Sequence, residues 1–208
     1  MILPTCGNYW VPNNLNIAVP RSCLFSMSSF FRNIGYQLTD TGVDDHYVTS
    51  GVFSFSTYSL NGRIVTISES AYSGSFLSIV LASLHTGNMN FVTSSDICCL
   101  YPTITPSKKS CSFDGLRGLS ENERLSVSSR GFILHTSSED LESPCEDLCP
   151  RFIRQFRGLK RIGLFTWRGP GRSSLGDVSY SWSTGTKCNK TDCIVNAQAA
   201  ILDIGNRL

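Results

Sequence analysis

The run Val52 Phe53 Ser54 Phe55 Ser56 Thr57 Tyr58 Ser59 Leu60 Asn61 Gly62 Arg63 Ile64 Val65 Thr66 Ile67 Ser68 Glu69 Ser70 decides the fold. Two stretches rich in β-branched, aromatic and hydroxyl residues flank Asn61 Gly62, a pair that tolerates the positive φ angles of a two-residue type I′ turn. The run predicts a β-hairpin with strands over 52–60 and 63–70. Phe53 and Phe55 alternate with Ser54 and Ser56, and Val65 and Ile67 alternate with Thr66 and Ser68. Such alternation gives each strand one apolar and one hydroxyl face. The expectation is that the apolar face, Phe53 and Phe55 included, meets a core while the hydroxyl face meets water or a ligand.

Upstream, residues 1–40 carry Pro4, Pro12, Pro20 and the Asn13 Asn14 pair between apolar patches at Ile17 to Val19 and Phe30 to Phe31. They read as an irregular arm or edge strands. Downstream, the apolar run Phe76 to Leu84 fits a buried strand or a short helix, because so short a run does not resolve the period. Asn90 to Thr93 and Ile97 to Tyr101 read as strands. Pro102 to Ser110 reads as an exposed connection and the one subdomain boundary, near 102–110, in what is otherwise a single domain over 1–208. Two further hairpins are expected, 125–128 with 132–135 about Ser129 Arg130 Gly131, and 162–167 with 178–182 about Gly169 Pro170 Gly171.

Three hairpin units predict a mainly β chain, an antiparallel sandwich or barrel built from hairpins. Helical signals are local. Ser143 Pro144 Cys145 Glu146 matches a capping box with proline at the first helical position, so a short helical segment is expected near 144–161, interrupted at Pro150. A C-terminal helix is expected from Asp192 to Gly205.

Composition narrows the class. Of 208 residues 41% are hydrophobic and 16% charged, too apolar and too weakly charged for a disordered chain. The longest apolar runs fall far short of the ~20 residues needed to cross a bilayer, so no membrane span is expected. A net charge of +2 excludes a wholesale polycation and leaves room for a local basic face.

Such a face is concentrated late in the chain. After the acidic residues Glu139, Asp140, Glu142, Glu146 and Asp147 come Arg151, Arg154, Arg157, Lys160, Arg161, Arg168 and Arg172 with no intervening acid. With Trp167 they form the candidate ligand-binding set, since guanidinium groups fork onto anions and an aromatic ring can stack a base. The plainer reading is a solvated basic face paired with the acidic segment before it.

The nine cysteines are an odd number, so at least one cannot pair within the chain. Cys98 and Cys99 point to opposite sides of a strand and pack separately. Cys6, Cys23, Cys111, Cys145, Cys149, Cys188 and Cys193 are the disulfide candidates, and Asn189 Lys190 Thr191 places a glycosylation acceptor at Asn189. Disulfides and a glycan would suit an extracellular or virion-associated setting. The rival is a reduced, intracellular chain whose thiols are packed as small hydrophobes. Structural zinc on the pairs Cys145, Cys149 and Cys188, Cys193 is a minor reading, and otherwise no cofactor is expected.

Catalytic signals are thin. His46, Asp96 and Ser174 follow the chain order of one serine-protease class, but no glycine-supported nucleophile loop surrounds Ser174. A cysteine served by His46, His85 or His135 lacks any flanking motif. The expectation leans away from an enzyme and toward a binding or assembly domain of a secreted, surface or virion-type protein, contacting a protein, a glycan or an anionic ligand through hairpin loops and the arginine-rich segment. The alternatives are an intracellular RNA- or DNA-binding protein using Arg151 to Arg172 and, below that, a cysteine or serine hydrolase.

Overall fold

The computed structural model describes residues 14–43, 51–112, 119–135, 149, 152–156, 161–167, 180–183 and 193. Strand outweighs helix among them, 42% to 24%, so the chain is mainly β, and no closed barrel forms among the described residues. It divides into two compact units, residues 1–83 and 84–208. No helix among the described residues is long and apolar enough to cross a membrane.

The first unit is built on the predicted hairpin. Strands β3 (Val52–Leu60) and β4 (Arg63–Ser70) pair antiparallel with Leu60 opposite Arg63. Asn61 and Gly62 between them have φ of 51° and 77°, the two positive values a type I′ turn requires. Strand β1 (Asn14–Val19) joins β4 in parallel, and β2 (Gln37–Val43) joins β3 antiparallel. The sheet order is β1-β4-β3-β2.

Strands β1 and β2 are the edges of this sheet, one of the two expectations for residues 1–40, but helix α1 (Leu24–Asn33), which connects them, was not expected. The helical spacing is present in Leu24, Met27 and Phe31. These side chains pack with Val19, Tyr58, Val65 and Ile67 as the core of this unit. Full burial of a side chain of this size contributes ~1.5–3 kcal/mol. The Phe31 ring meets Tyr36 edge-on at 5.3 Å and stacks on Tyr58 at 6.2 Å. The helix has no side-chain cap from its own N-cap residue. Instead Leu24 N donates to Glu69 Oε1 at 3.3 Å, which sets a carboxylate at the positive end of the helix.

The faces of the hairpin differ from the expected ones. Ser54, Ser56 and Tyr58 point inward with Val65, Ile67 and Glu69, whereas Phe53 and Phe55 are half-buried on the other side. The register is the reason. It sets Ser56 opposite Ile67 and Ser54 opposite Glu69, so the hydroxyl side of β3 and the apolar side of β4 are one face. Phe55 lies across Gly42, where an added Cβ would come within 2.8 Å of its ring, and the Arg21 guanidinium sits 3.0 Å from the centre of the Phe53 ring. A short helix α2 (Leu77–Leu81) ends the unit, with Leu77 and Val80 inward and Ser78 Oγ 2.7 Å from Ser70 Oγ.

In the second unit β5 (Asn90–Val92), β6 (Asp96–Cys99) and β10 (Gly163–Thr166) form an antiparallel sheet of order β10-β6-β5. Strands β7 (Lys109–Cys111) and β8 (Ile133–His135) pair in parallel. Between them in sequence lies helix α3 (Glu121–Ser129), which replaces the hairpin expected over 125–135. Its start is a capping box, with Glu123 N donating to Ser120 Oγ and Ser120 N donating to Glu123 Oε2 at 2.7 Å. That satisfies two otherwise orphaned donors.

The arginine-rich stretch is not helical where it is described. Arg154–Gln155 forms strand β9, paired antiparallel with β11 (Ser181–Trp182). Arg154 and Phe156 are buried while Ile153 and Gln155 are exposed, a period of two and not of 3.6. The Phe156 ring packs 5.1 Å from Trp182. The hairpin expected between 162–167 and 178–182 is replaced as well, because β10 pairs with β6 and β11 pairs with β9. The capping box at 143–146, the turn at 169–171 and, apart from Cys193, the C-terminal helix at 192–205 lie outside the described residues.

Candidate functional site

The outward face of the three-stranded sheet carries exposed apolar side chains. Phe165 stands opposite Ile97, and Ile97 stands opposite Val92, so the three side chains form one cross-strand row. Phe165 is 56% and Val92 64% exposed. The reverse face, through Leu164, Cys98 and Phe91, faces the interior, and Cys98 is fully buried. Asp96 locks β6 to β10 from that side by accepting Ser95 Oγ and Thr166 Oγ1, each at 2.6 Å. One end of the outward face is covered, since Pro102 closes on Gly163, and the other end is open at Phe165.

Trp167 extends the row. It follows β10, is 44% exposed, and is fixed twice: its backbone N donates to Ser95 O and its indole Nε1 to Ser94 O, both at 3.1 Å. Arg161, just before β10, is exposed and lies 4.5 Å from the centre of the Phe152 ring, a cation–π distance. Two of the sequence-predicted ligand-binding residues, Arg161 and Trp167, therefore flank β10.

Arg154 is placed differently. It is buried, lies 4.5 Å over the Tyr101 ring and donates to Phe152 O at 3.3 Å. That arginine is used inside the protein. Arg151, Arg157, Lys160, Arg168 and Arg172 lie outside the described residues. Val92 and Ile97 were not singled out by sequence; the available signal for the face they share was the alternation Leu164, Phe165, Thr166, Trp167, which puts two aromatics on one side of a strand.

The histidines of this unit serve its interior. His85 Nδ1 lies 2.8 Å from Ser110 Oγ, and Gly87 N donates to the same oxygen at 2.9 Å. Ser110 is fully buried, so its hydroxyl joins His85 Nδ1 and the Gly87 amide inside the protein. Burial, then the positive charge of Arg130, hold the His85 pKa below its ordinary value, against a smaller opposing effect of Glu123. His135 stands opposite Cys111 across β7 and β8. His46 and Ser174 lie outside the described residues, and Asp96 is committed to Ser95 and Thr166.

Of the cysteines, Cys23, Cys98 and Cys99 are free thiols, and no two sulfurs among the described residues stand at disulfide distance. Cys149 and Cys193 are both buried against Phe152 with their sulfurs 3.5 Å apart. Burial first, then Cys99 and Asp96, push the Cys98 thiol up to about 12, and burial raises Cys99. No three His, Cys, Asp or Glu side chains gather to hold a metal among the described residues. Cys6, Cys145, Cys188 and Asn189 lie outside them.

No protein-family model matches the chain, and neither a curated protein nor a solved structure does. The functional reading rests on the surface alone.

Proposed function

We propose that this chain works by binding, as an assembly or recognition domain that meets a protein partner through the outward face of the β5-β6-β10 sheet. The observation that carries the reading is the cross-strand row of exposed Val92 and Phe165 about the half-buried Ile97, continued by exposed Trp167. Large apolar side chains held rigidly in one exposed row mark interaction sites, and aromatic residues and arginine are enriched at protein interfaces. Trp167 is held by two hydrogen bonds, so little side-chain freedom is lost when a partner covers it. A setting outside the cytosol, as a secreted, surface or virion-type component, belongs to the same proposal; the proximity of Cys149 and Cys193 supports it.

A second reading is favoured by Arg161 and Trp167 at the two ends of β10 with the exposed Phe165 ring between them: a sheet with exposed aromatics and a guanidinium at its edge can stack the bases of a single strand. The two are separated by comparing the parent chain with a Phe165→Ser, Trp167→Ala double variant. Capture of proteins from the native extract and sedimentation of the purified chain test the protein partner. Anisotropy of labelled single-stranded oligonucleotides at several salt concentrations tests the nucleic acid. The proposal expects protein capture or self-association that the double variant loses, with salt-insensitive or absent oligonucleotide binding. Steeply salt-dependent oligonucleotide binding selects the second reading, and identical behaviour of parent and variant in every arm removes both.

A further inference from the structure

A second surface, within the first unit, points to a ligand of its own. Helix α1 covers β1, β4 and part of β3, and between it and β2 it leaves a cleft of about 440 Å³, within the ~300–1,000 Å³ range of small-molecule sites. Its walls are hydroxyl-rich: Ser28 and Ser29 from the helix and Thr41 and Ser56 from the sheet. Glu69 and Arg32 supply one charge of each sign, and Phe25, at the helix side, is 81% exposed.

The decisive atom is the Tyr58 hydroxyl. Tyr58 lines the cleft, its residue is 0% exposed, and its hydroxyl has no hydrogen-bond partner in the protein. A buried hydroxyl left unsatisfied costs ~1–3 kcal/mol, and native structures almost always pair such groups. Its neighbours are already engaged. Glu69 accepts Leu24 N and Ser54 Oγ, and Thr41 Oγ1 donates to Phe55 O and lies 3.4 Å from Ser56 Oγ.

We propose that the cleft between α1 and β2–β3 binds a small uncharged polyhydroxylated ligand, a monosaccharide or the terminal sugar of a glycan. The lining chemistry selects that class. Opposite charges at Glu69 and Arg32 leave no net charge to attract an anion, and hydroxyl walls disfavour an apolar guest, whose burial would strand them. A sugar offers both donors and acceptors to Tyr58, Ser28 and Ser56, and its C–H face can lie on the exposed Phe25 ring. The inference is independent of the sheet-face reading.

The test is an NMR titration of the full chain with glucose, galactose, mannose, N-acetylglucosamine and, as an anionic control, inorganic phosphate. It is repeated on Tyr58→Phe, which keeps the ring, and on Phe25→Ala, which alters only an exposed position. The expected result is saturable shifts with at least one sugar at the amides of Ser28, Arg32, Thr41 and Ser56. Affinity falls about tenfold in Tyr58→Phe and several-fold in Phe25→Ala, and phosphate has no effect at these positions. The proposal is overturned if no sugar shifts these amides, if phosphate shifts them and sugars do not, or if Tyr58→Phe binds as tightly as the parent.

Discussion

The Ser54 hydroxyl donates to Glu69 Oε2 at 2.9 Å across β3 and β4, inside the first unit, while the other oxygen of the same carboxylate accepts the first amide of α1. Glu69 therefore ties the helix to the sheet. Removing the charge in Glu69→Gln weakens both bonds at a buried position, and charged hydrogen bonds contribute ~1.5–3 kcal/mol each. We expect Glu69→Gln to destabilise by about 2 kcal/mol and Ser54→Ala by about 1 kcal/mol, read as a lowered midpoint in urea with an unchanged slope.

Tyr58→Phe has the opposite sign. The ring stays packed on Phe31, and a hydroxyl with no hydrogen-bond partner within the protein is gone. The variant should unfold at higher urea than the parent, by about 1 kcal/mol, while losing sugar affinity. A variant less stable than the parent would mean that the hydroxyl is already satisfied in solution.

Capping governs α3. Ser120→Ala removes the acceptor of Glu123 N, and loss of such a cap costs ~1 kcal/mol. Circular dichroism during urea unfolding should report that shift, whereas Ser128→Ala, at an exposed position in the last turn of the helix, should be close to neutral.

Thiol chemistry separates the cysteines by environment. At pH 8 the buried Cys98, with its pKa pushed up to about 12, should resist iodoacetamide in the folded protein, while the half-buried Cys23 reacts; the thiolate is the reacting form. Mild oxidation should cross-link Cys149 to Cys193, whose sulfurs need approach by only ~1.5 Å to reach bonding distance. Peptide mapping after alkylation reads both outcomes. A cross-link between other pairs with Cys149 and Cys193 left free would contradict the arrangement.

His85 sets a pH limit. Its folded pKa is lowered, so the unfolded chain binds the proton more readily, and stability falls as pH drops below the unfolded value of ~6.5 toward the folded one. Above ~6.5 this contribution is fully present. Urea midpoints measured from pH 7.5 to 5 should fall on acidification, and His85→Gln should flatten that dependence.

How far the sequence reaches is best seen at two hairpins. Asn61 Gly62 fixes the first one completely, and because a two-residue turn also sets the register, the pairing of Ser56 with Ile67 was implicit in the same letters. The face assignment failed because each strand was read for its own alternation. The second hairpin, about Gly131, failed because a capping box at Ser120 to Glu123 outweighs the weak β signal of 125–128, and the box lay just upstream of the stretch considered. In the arginine-rich segment, spacing at Arg151, Arg154 and Arg157 imitated a helix face, but cross-strand pairing with Ser181–Trp182 decided the local structure. Long-range partners of that kind leave no local trace. Arg161 and Trp167 could be read as candidate ligand contacts because charge and aromaticity show in sequence. The unsatisfied hydroxyl of Tyr58 was not, since only packing reveals what a buried group fails to meet.

The central claim is that the chain binds a protein through the β5-β6-β10 face. Oxidative footprinting of the chain, free and in the complex recovered from native extract, tests it most directly. The account predicts that labelling of Phe165 and Trp167 falls sharply in the complex while that of the exposed Phe25 in the first unit is unchanged. Equal labelling of Phe165 and Trp167 in the free and bound chain would contradict it.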